Sequence, residues 1–220
     1  MVPRQKYNTR FICWSLVLAH HAVRAVRADQ SSLEVREKAV ETALEAFAAQ
    51  LRVSPCPGIE SLVELVSKAV QNASACDCLY PPLADYVLGE YSVVGLYGST
   101  VTLLDDDGQA ICSPYVYCPD CVSFDPLGDV YAVPTDSLMD QSYGINEQQW
   151  LRVPVDTQKA VWSDPYFDDG GGNIEMETYS LPILDNGSVI AVATTDLPIS
   201  SASKPLLGVG FVSMLAWMLV

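Results

Sequence analysis

The chain is poor in imidazole and in positive charge. Its only two histidines, His20 and His21, sit side by side near the start, so everything downstream lacks the residue on which most catalytic and zinc sites are built. Lys and Arg number 12 against 27 Asp and Glu, a formal charge of −15. That excess of carboxylates repels phosphate backbones, and nucleic acid is not expected as a partner. No apolar run reaches the roughly 20 residues of a membrane-spanning helix. No phosphate cradle is present either, since Gly170-Gly-Gly172 is followed by neither Lys-Ser/Thr nor a helix. No repeat, low-complexity tract or catalytic constellation is visible, and neither enzymatic activity nor a cofactor is expected. What the chain does have is apolar mass: half of its 220 residues are hydrophobic, enough to bury the core of one ordinary domain.

The two ends differ from the middle. Residues 1–28 hold five bases and no acid, with an apolar run over Phe11–Ala19 and small residues before Asp29, the pattern of a secretory signal peptide. An uncleaved amphipathic helix is the alternative. Cleavage leaves seven bases against all 27 acids, a strongly anionic domain over residues 29–199. At the other end, 205–220 form a hydrophobic membrane-attachment segment, apolar from Leu206 except for Ser213. A marginal transmembrane helix, a lipid-anchor signal after Ser200–Ser203 and a truncated continuation all fit it. The protein is thus expected outside the cytoplasm, attached to a membrane.

Six cysteines remain after residue 28: Cys56, Cys76, Cys78, Cys112, Cys118 and Cys121. In an oxidising compartment an even set reads as up to three disulfides of unknown pairing. The competing reading gathers Cys76, Cys78, Cys118 and Cys121 into a four-thiolate zinc site. The sequons Asn72-Ala-Ser74 and Asn186-Gly-Ser188 offer glycan acceptors.

Between the ends, Ser31-x-x-Glu34 is a capping box, and Leu33, Val40, Leu44, Phe47 and Leu51 mark a long amphipathic helix ending near Ser54-Pro55. A second helix after Pro57-Gly58 presents Ile59, Leu62, Val63, Val66 and Val70 and fades at Asn72. Beyond Tyr80-Pro-Pro82 the residues turn β-branched and aromatic, predicting strands over 91–97, 100–104, 110–117, 174–184 and 188–196. Asp185-Asn-Gly187 is a hairpin turn. Asp105-Asp-Asp-Gly108 is read as a second turn and not as a calcium loop, because no ligand alternation or closing glutamate follows. The fold class is α+β: a long N-terminal helix plus a second helix, packed on one side of an antiparallel sheet of five to six strands.

Five stretches then carry a family resemblance. Trp162-Ser-Asp-Pro-Tyr-Phe-Asp-Asp-Gly-Gly-Gly-Asn173, Met176-Glu-Thr-Tyr-Ser-Leu-Pro182 and Val192-Ala-Thr-Thr-Asp-Leu-Pro198, preceded by Tyr97-Gly-Ser and Ser113-Pro-Tyr-Val116, resemble the Cache domains over about residues 95–199. These are extracytoplasmic sensors with a PAS-like sheet, found in chemoreceptors and sensor kinases. The resemblance implies a ligand site at Tyr143, Gln148, Trp150, Tyr166 and Asp196. Where family members that bind amino acids or amines carry Arg-x-Trp-Tyr, this chain has Gln148-Gln-Trp-Leu151, so the arginine that would pair a ligand carboxylate is absent. Aromatic faces around a lone carboxylate suit a cation, and an amine or quaternary ammonium is the expected ligand, with Gln148 adding a neutral hydrogen bond. The alternative makes Trp150 and Tyr166 core aromatics and Asp196 a strand-end cap. Trp162 and Tyr179 are assigned to the core.

Two function classes follow. One is a sensor whose ligand shifts a conformational equilibrium that a separate signalling protein reads. The other is a structural or interaction domain that has kept the fold and lost the ligand. A third, a thiol oxidoreductase using Cys118-Pro-Asp-Cys121, lacks the alternating βα context of such enzymes.

Overall fold

A computed structural model of the chain describes residues 33–118, 135–140, 142–168 and 174–199. The signal-like segment, Ser31 of the capping box, Cys121, Gly170–Gly172 and the segment 205–220 lie outside the described residues.

Helix α1 (Leu33–Val53) buries Val40, Leu44, Phe47, Ala48 and Leu51, spaced to form one face, and stops before Ser54-Pro55 as its pattern predicts. Helix α2 (Leu62–Gln71) starts at Ser61, whose Oγ accepts the Glu64 amide at 3.2 Å. That start sets the phase of the buried stripe: Leu62, Leu65 and Ala69 are inward, whereas Val63 and Val70 are 43% and 61% exposed. Of the expected stripe, Leu62 is buried and Ile59 and Val66 pack against the core, while Val63 and Val70 face out and Leu65 was missed.

A third helix stands where a strand was expected. Helix α3 (Tyr80–Val94) takes Pro81 and Pro82 into its first turn and ends on Gly95, left-handed at φ 74°. Proline there needs no amide partner and has its φ already set for a helix, so Pro-Pro opens this helix where the sequence reading took it for a break. Tyr91–Val94 are its last turn, and only the residues after Gly95 are extended.

Among the described residues the sheet has eight strands: β1 (Gly98–Leu104), β2 (Ala110–Cys112), β3 (Pro114–Tyr117), β4 (Thr135–Ser137), β5 (Val161–Trp162), β6 (Tyr166–Phe167), β7 (Glu175–Asp185) and β8 (Ser188–Pro198). Their order is β4-β3-β1-β8-β7-β5, with β2 also on β1 and β6 also on β7, and every pairing is antiparallel. The α+β class holds. The expected run over 110–117 is two strands broken at Ser113, and three strands of two or three residues add to the expected five or six.

Both turns form as read. Asn186 and Gly187 adopt φ of 47° and 86° between β7 and β8, the double positive φ of a tight hairpin. Asp105 closes the β1–β2 turn by itself, its Oδ1 accepting the amides of Asp107 and Gln109 at 3.0 and 2.8 Å.

Strand alternation divides the sheet's two faces. Val101, Leu103, Tyr179, Ala191, Ala193 and Leu197 join α1–α3 in the main core. There Phe47 stacks on Tyr86 at 4.6 Å and Trp162 meets Tyr179 at 5.0 Å, with the Trp162 indole donating to Glu41 at 3.1 Å. On the opposite face, helix α4 (Gln149–Thr157) buries Leu151 among Leu104, Ile145 and Val192. The helices thus lie on both faces and not on one, because Leu151 and its neighbours form an apolar patch of their own.

Cys56–Cys78 ties the α1–α2 connection to the segment before α3, and Cys76–Cys112 ties that segment to β2. Cys118 is disulfide-bonded as well. The four-thiolate zinc reading is overturned, since Cys76 and Cys78 are each consumed by a different partner. Among the described residues no group of three or more His, Cys, Asp or Glu is placed to hold a metal ion. No described helix is long and apolar enough to cross a membrane.

The disulfides close loops of 22 and 36 residues. The chain-entropy argument assigns each roughly 3–4 kcal/mol. Replacing Cys76 and Cys112 together by serine is expected to lower unfolding free energy in urea by about that amount, and a loss below about 1 kcal/mol would show that this bond does not constrain the unfolded chain.

Candidate functional site

Helix α4 seals only the lower half of its face of the sheet. Along β8 that face reads Val192, Thr194, Asp196: the valine lies under Leu151, and the next two residues open into a cavity of about 360 Å³. The floor is set by register. Tyr117 of β3 pairs with Gly98 of β1, Gly98 with Asp196 of β8, and Asp196 with Thr178 of β7. One step along, Tyr115, Thr100 and Thr194 form the next row. Paired residues share a face, so two tyrosines, hydroxyls and a carboxylate all point the same way.

Asp196 is the centre of this floor. It is only 6% exposed. The Tyr115 hydroxyl donates to its Oδ2 at 2.8 Å and the Thr178 hydroxyl to its Oδ1 at 2.7 Å. Thr178 has one proton, and it is spent on Asp196, so the Tyr166 hydroxyl, 2.8 Å away, donates into Thr178. The three hydroxyls therefore point their protons toward one carboxylate.

Gly98 makes the Tyr115 bond possible. A Cβ at this position would stand 2.7 Å from Tyr115 Cζ and 2.9 Å from its Cε2. The bare strand lets the phenol ring cross β1 to reach β8. Tyr115 also stacks on Tyr117, centroids 5.6 Å apart, and Tyr117 on Tyr97 at 6.1 Å.

The remaining wall comes from the segment before α4. Asp140 Oδ1 accepts the amide and hydroxyl of Ser142 at 2.7 and 2.6 Å, which turns the chain. Tyr143 follows, with Gly144 left-handed at φ 60°. The Trp150 indole donates to the Tyr143 hydroxyl at 3.2 Å, and the Gln148 side-chain amide donates to the Tyr143 carbonyl at 2.8 Å.

Of the residues expected at the site, Tyr143, Trp150, Tyr166 and Asp196 line this one cavity. Gln148 is not among the lining residues. Its amide braces the backbone of Tyr143 from behind. Leu151 belongs to the apolar patch. Tyr97, Tyr115 and Tyr117 were missed, although the alternation of Tyr115 and Tyr117 within a strand beside a glycine-started strand was a usable signal. Asp136, Asp140 and Asp168 add further carboxylates, and no basic side chain lines the cavity among the described residues.

The electrostatics follow from burial. It pushes the Asp196 carboxyl up to about 6, against the Thr178 and Tyr115 hydrogen bonds, and the Asp168 charge adds to the rise. Burial also lifts the hydroxyls of Tyr97, Tyr115, Tyr143 and Tyr166 above the ordinary phenol range, with Asp196 raising each further. At neutral pH the cavity therefore presents neutral phenols around a charged carboxylate.

Two expectations follow for the unbound protein. An unfolded aspartate titrates near 3.9. Between there and about 6 the native state holds the proton that the unfolded state releases, so stability falls as pH rises through this window and stays lowered above it. Asp196→Asn is therefore expected to stabilise the domain at pH 7.5, on the order of 3 kcal/mol, with the gain vanishing near pH 4; equal melting temperatures at both pH values would contradict the buried charge. Gly98→Ala is expected to destabilise by roughly 1–3 kcal/mol through overpacking, and a loss under about 0.5 kcal/mol in urea would show that the Tyr115 ring has room to move.

Comparison with known proteins places these observations in a family. The family model described as "methyl-accepting chemotaxis protein-like, first PDC sensor domain" matches residues 92–204, about half of the chain. No curated protein matches. Among solved structures, the chain is similar to the ligand-binding domain of the Campylobacter jejuni chemoreceptor Tlp3 in complex with L-valine, at 16% identity and a TM-score of 0.48, covering 83% of this chain and 62% of that one. It is similar to the Tlp3 sensory domain with isoleucine bound, at 16% identity and a TM-score of 0.45, with the same coverage of 83% and 62%. The Tlp3 complex with L-norvaline is 14% identical with a TM-score of 0.46, covering 89% of this chain and 63% of that one. The chain thus spans less than two thirds of the solved domains it matches.

Proposed function

Because the chain belongs to the methyl-accepting chemotaxis protein-like first PDC sensor domain family, we propose that its aromatic cavity binds a small organic cation, an amine or quaternary ammonium, through Asp196. The observation that carries this reading is the lining itself: a buried carboxylate, six aromatic side chains and no described base. Such a wall attracts a cation through ring quadrupoles, worth about 0.5–2 kcal/mol per well-placed ring, in addition to the carboxylate. An α-amino acid is a poorer fit, because its carboxylate would face Asp136, Asp140, Asp168 and Asp196 without a guanidinium to receive it.

The binding step has a physical route to a response. Asp196 sits two residues before Pro198, whose carbonyl accepts a hydrogen bond from Arg36 of α1 at 3.4 Å. The same guanidinium donates to the carbonyl of Val94, at the end of α3, at 3.0 Å. A ligand that favours one placement of β8 shifts the population of α1 positions by its difference in affinity between them. The disulfides suit an oxidising compartment. The reading places residues 29–199 outside the cytoplasm, behind a cleaved leader, with 205–220 as membrane attachment and a separate protein as output. Glycans at Asn72 and Asn186 are compatible with it, both side chains being exposed.

Calorimetric titration with alkylamines and tetramethylammonium tests the reading. Wild type is expected to bind at pH 7.5, and Asp196→Asn to lose at least about tenfold in affinity, since a cation opposite a buried carboxylate is worth more than one such factor. Wild-type affinity is expected to fall as pH drops through about 6, where the carboxylate takes up its proton. Equal binding by wild type and Asp196→Asn would contradict the assignment.

A further inference from the structure

We propose that the cavity is built for a linear cation charged at both ends, an α,ω-diamine or longer polyamine, with one ammonium at Asp196 and the other at Asp136 and Asp140. This rests on the amine reading above and narrows it.

The carboxylates of the cavity are divided between its two ends. They are not one cluster. Asp136 of β4 pairs with Tyr115 of β3, Tyr115 with Thr100 of β1, and Thr100 with Thr194 of β8. Three inter-strand steps of about 4.8 Å put the backbone of Asp136 roughly 14 Å from β8. Asp196 lies on β8 beyond Thr194, so the floor carries negative charge at both ends. Between those ends lie the stacked rings of Tyr115 and Tyr117, surfaces on which a methylene chain loses water at no polar cost.

The far end is as acidic as the near one. Asp140 enters the same cavity from the turn before Tyr143, and among the described residues its Oδ1 is engaged by Ser142. Among the described residues, Asp136 Oδ1 accepts the Ser137 amide at 2.7 Å. Both residues are exposed at the mouth, where a second ammonium can reach them without being stripped of all its water. The ion pairs of the described residues join Lys38 to Glu41, Lys68 to Glu64 and Arg152 to Asp156, so none neutralises Asp136, Asp140 or Asp196. A monocation compensates one end and leaves the other. A dication compensates both, and the cavity of about 360 Å³ has room for a chain of ten or so heavy atoms, at roughly 20 Å³ each in a close-packed interior.

The test is a pair of titrations on the full chain at pH 7.5 and low salt, with 1,7-diaminoheptane and with n-heptylamine, repeated on the double variant Asp136→Asn, Asp140→Asn. The diamine is expected to bind wild type at least about tenfold more tightly than the monoamine. The double variant is expected to erase that advantage, the two amines then binding it within about twofold of each other, with heptylamine still held through Asp196. Equal affinities of the two amines for wild type, or an undiminished diamine advantage in the double variant, would overturn the two-headed ligand and leave the amine reading standing. Failure of both amines to bind wild type would overturn the two together.

Discussion

A carboxylate in the middle of a sheet is a burden that the neighbouring strands must share, and Asp196 shows how. Strand β8 carries it two strands in from the nearer edge, where water cannot reach it on the strand's own side. The hydroxyls of Tyr115 and Thr178 take water's place. They do so only because β1 begins with a glycine at the point where the phenol must cross, and because the β7 register puts Thr178 directly opposite. Those two hydrogen bonds fall short of full hydration, so the group stays near its protonation midpoint at mildly acid pH. A site with an unmet demand for positive charge is one that a cation can complete.

The rest of the architecture can be read as support for that one group. Leu151 closes the apolar half of the face with Val192 and Leu104, which leaves the polar half open. Gln148 and Trp150 fix Tyr143 from opposite ends of its residue, carbonyl and hydroxyl. On the reverse face, α1–α3 bury the alternate residues of the same strands, so β8 is clamped between its cavity side and its core side. Arg36 then joins the outgoing end of β8 to α1 and α3. Cavity lining, core packing and the contact with α1 thus share a single strand.

Much of this was legible in the sequence, and the lapses have physical causes. The long pattern of Val40, Leu44, Phe47 and Leu51 declared α1, and Asn186-Gly187 declared the hairpin, because both signals are local. Helix α3 was hidden, since Tyr91, Val93 and Val94 carry strand propensity while tertiary packing of Leu83 and Val87 overrides it. The face of α2 depended on where Ser61 capped it, which starting the stripe at Ile59 ignores. Strands of two and three residues such as β5 and β6 have no periodicity to detect. At the site, family likeness pointed to Tyr143, Trp150, Tyr166 and Asp196, which share the cavity. Tyr115, Tyr117 and Gly98 left only a faint local signal, the alternation of two tyrosines near a glycine, because their roles exist across strands: a register of Gly98 with both Tyr117 and Asp196 is not written in any contiguous stretch.

The central claim is that Asp196 is a buried charge waiting for a counter-ion. Carboxyl-carbon NMR of the domain, titrated with and without saturating amine, measures this directly. The account predicts a midpoint near 6 for Asp196 alone and a fall of at least about one pH unit when the amine is bound, since a cation of tenfold higher affinity for the ionised form must lower it by that much. A midpoint near 4 in the unbound domain, or one that amine leaves unmoved, would contradict it.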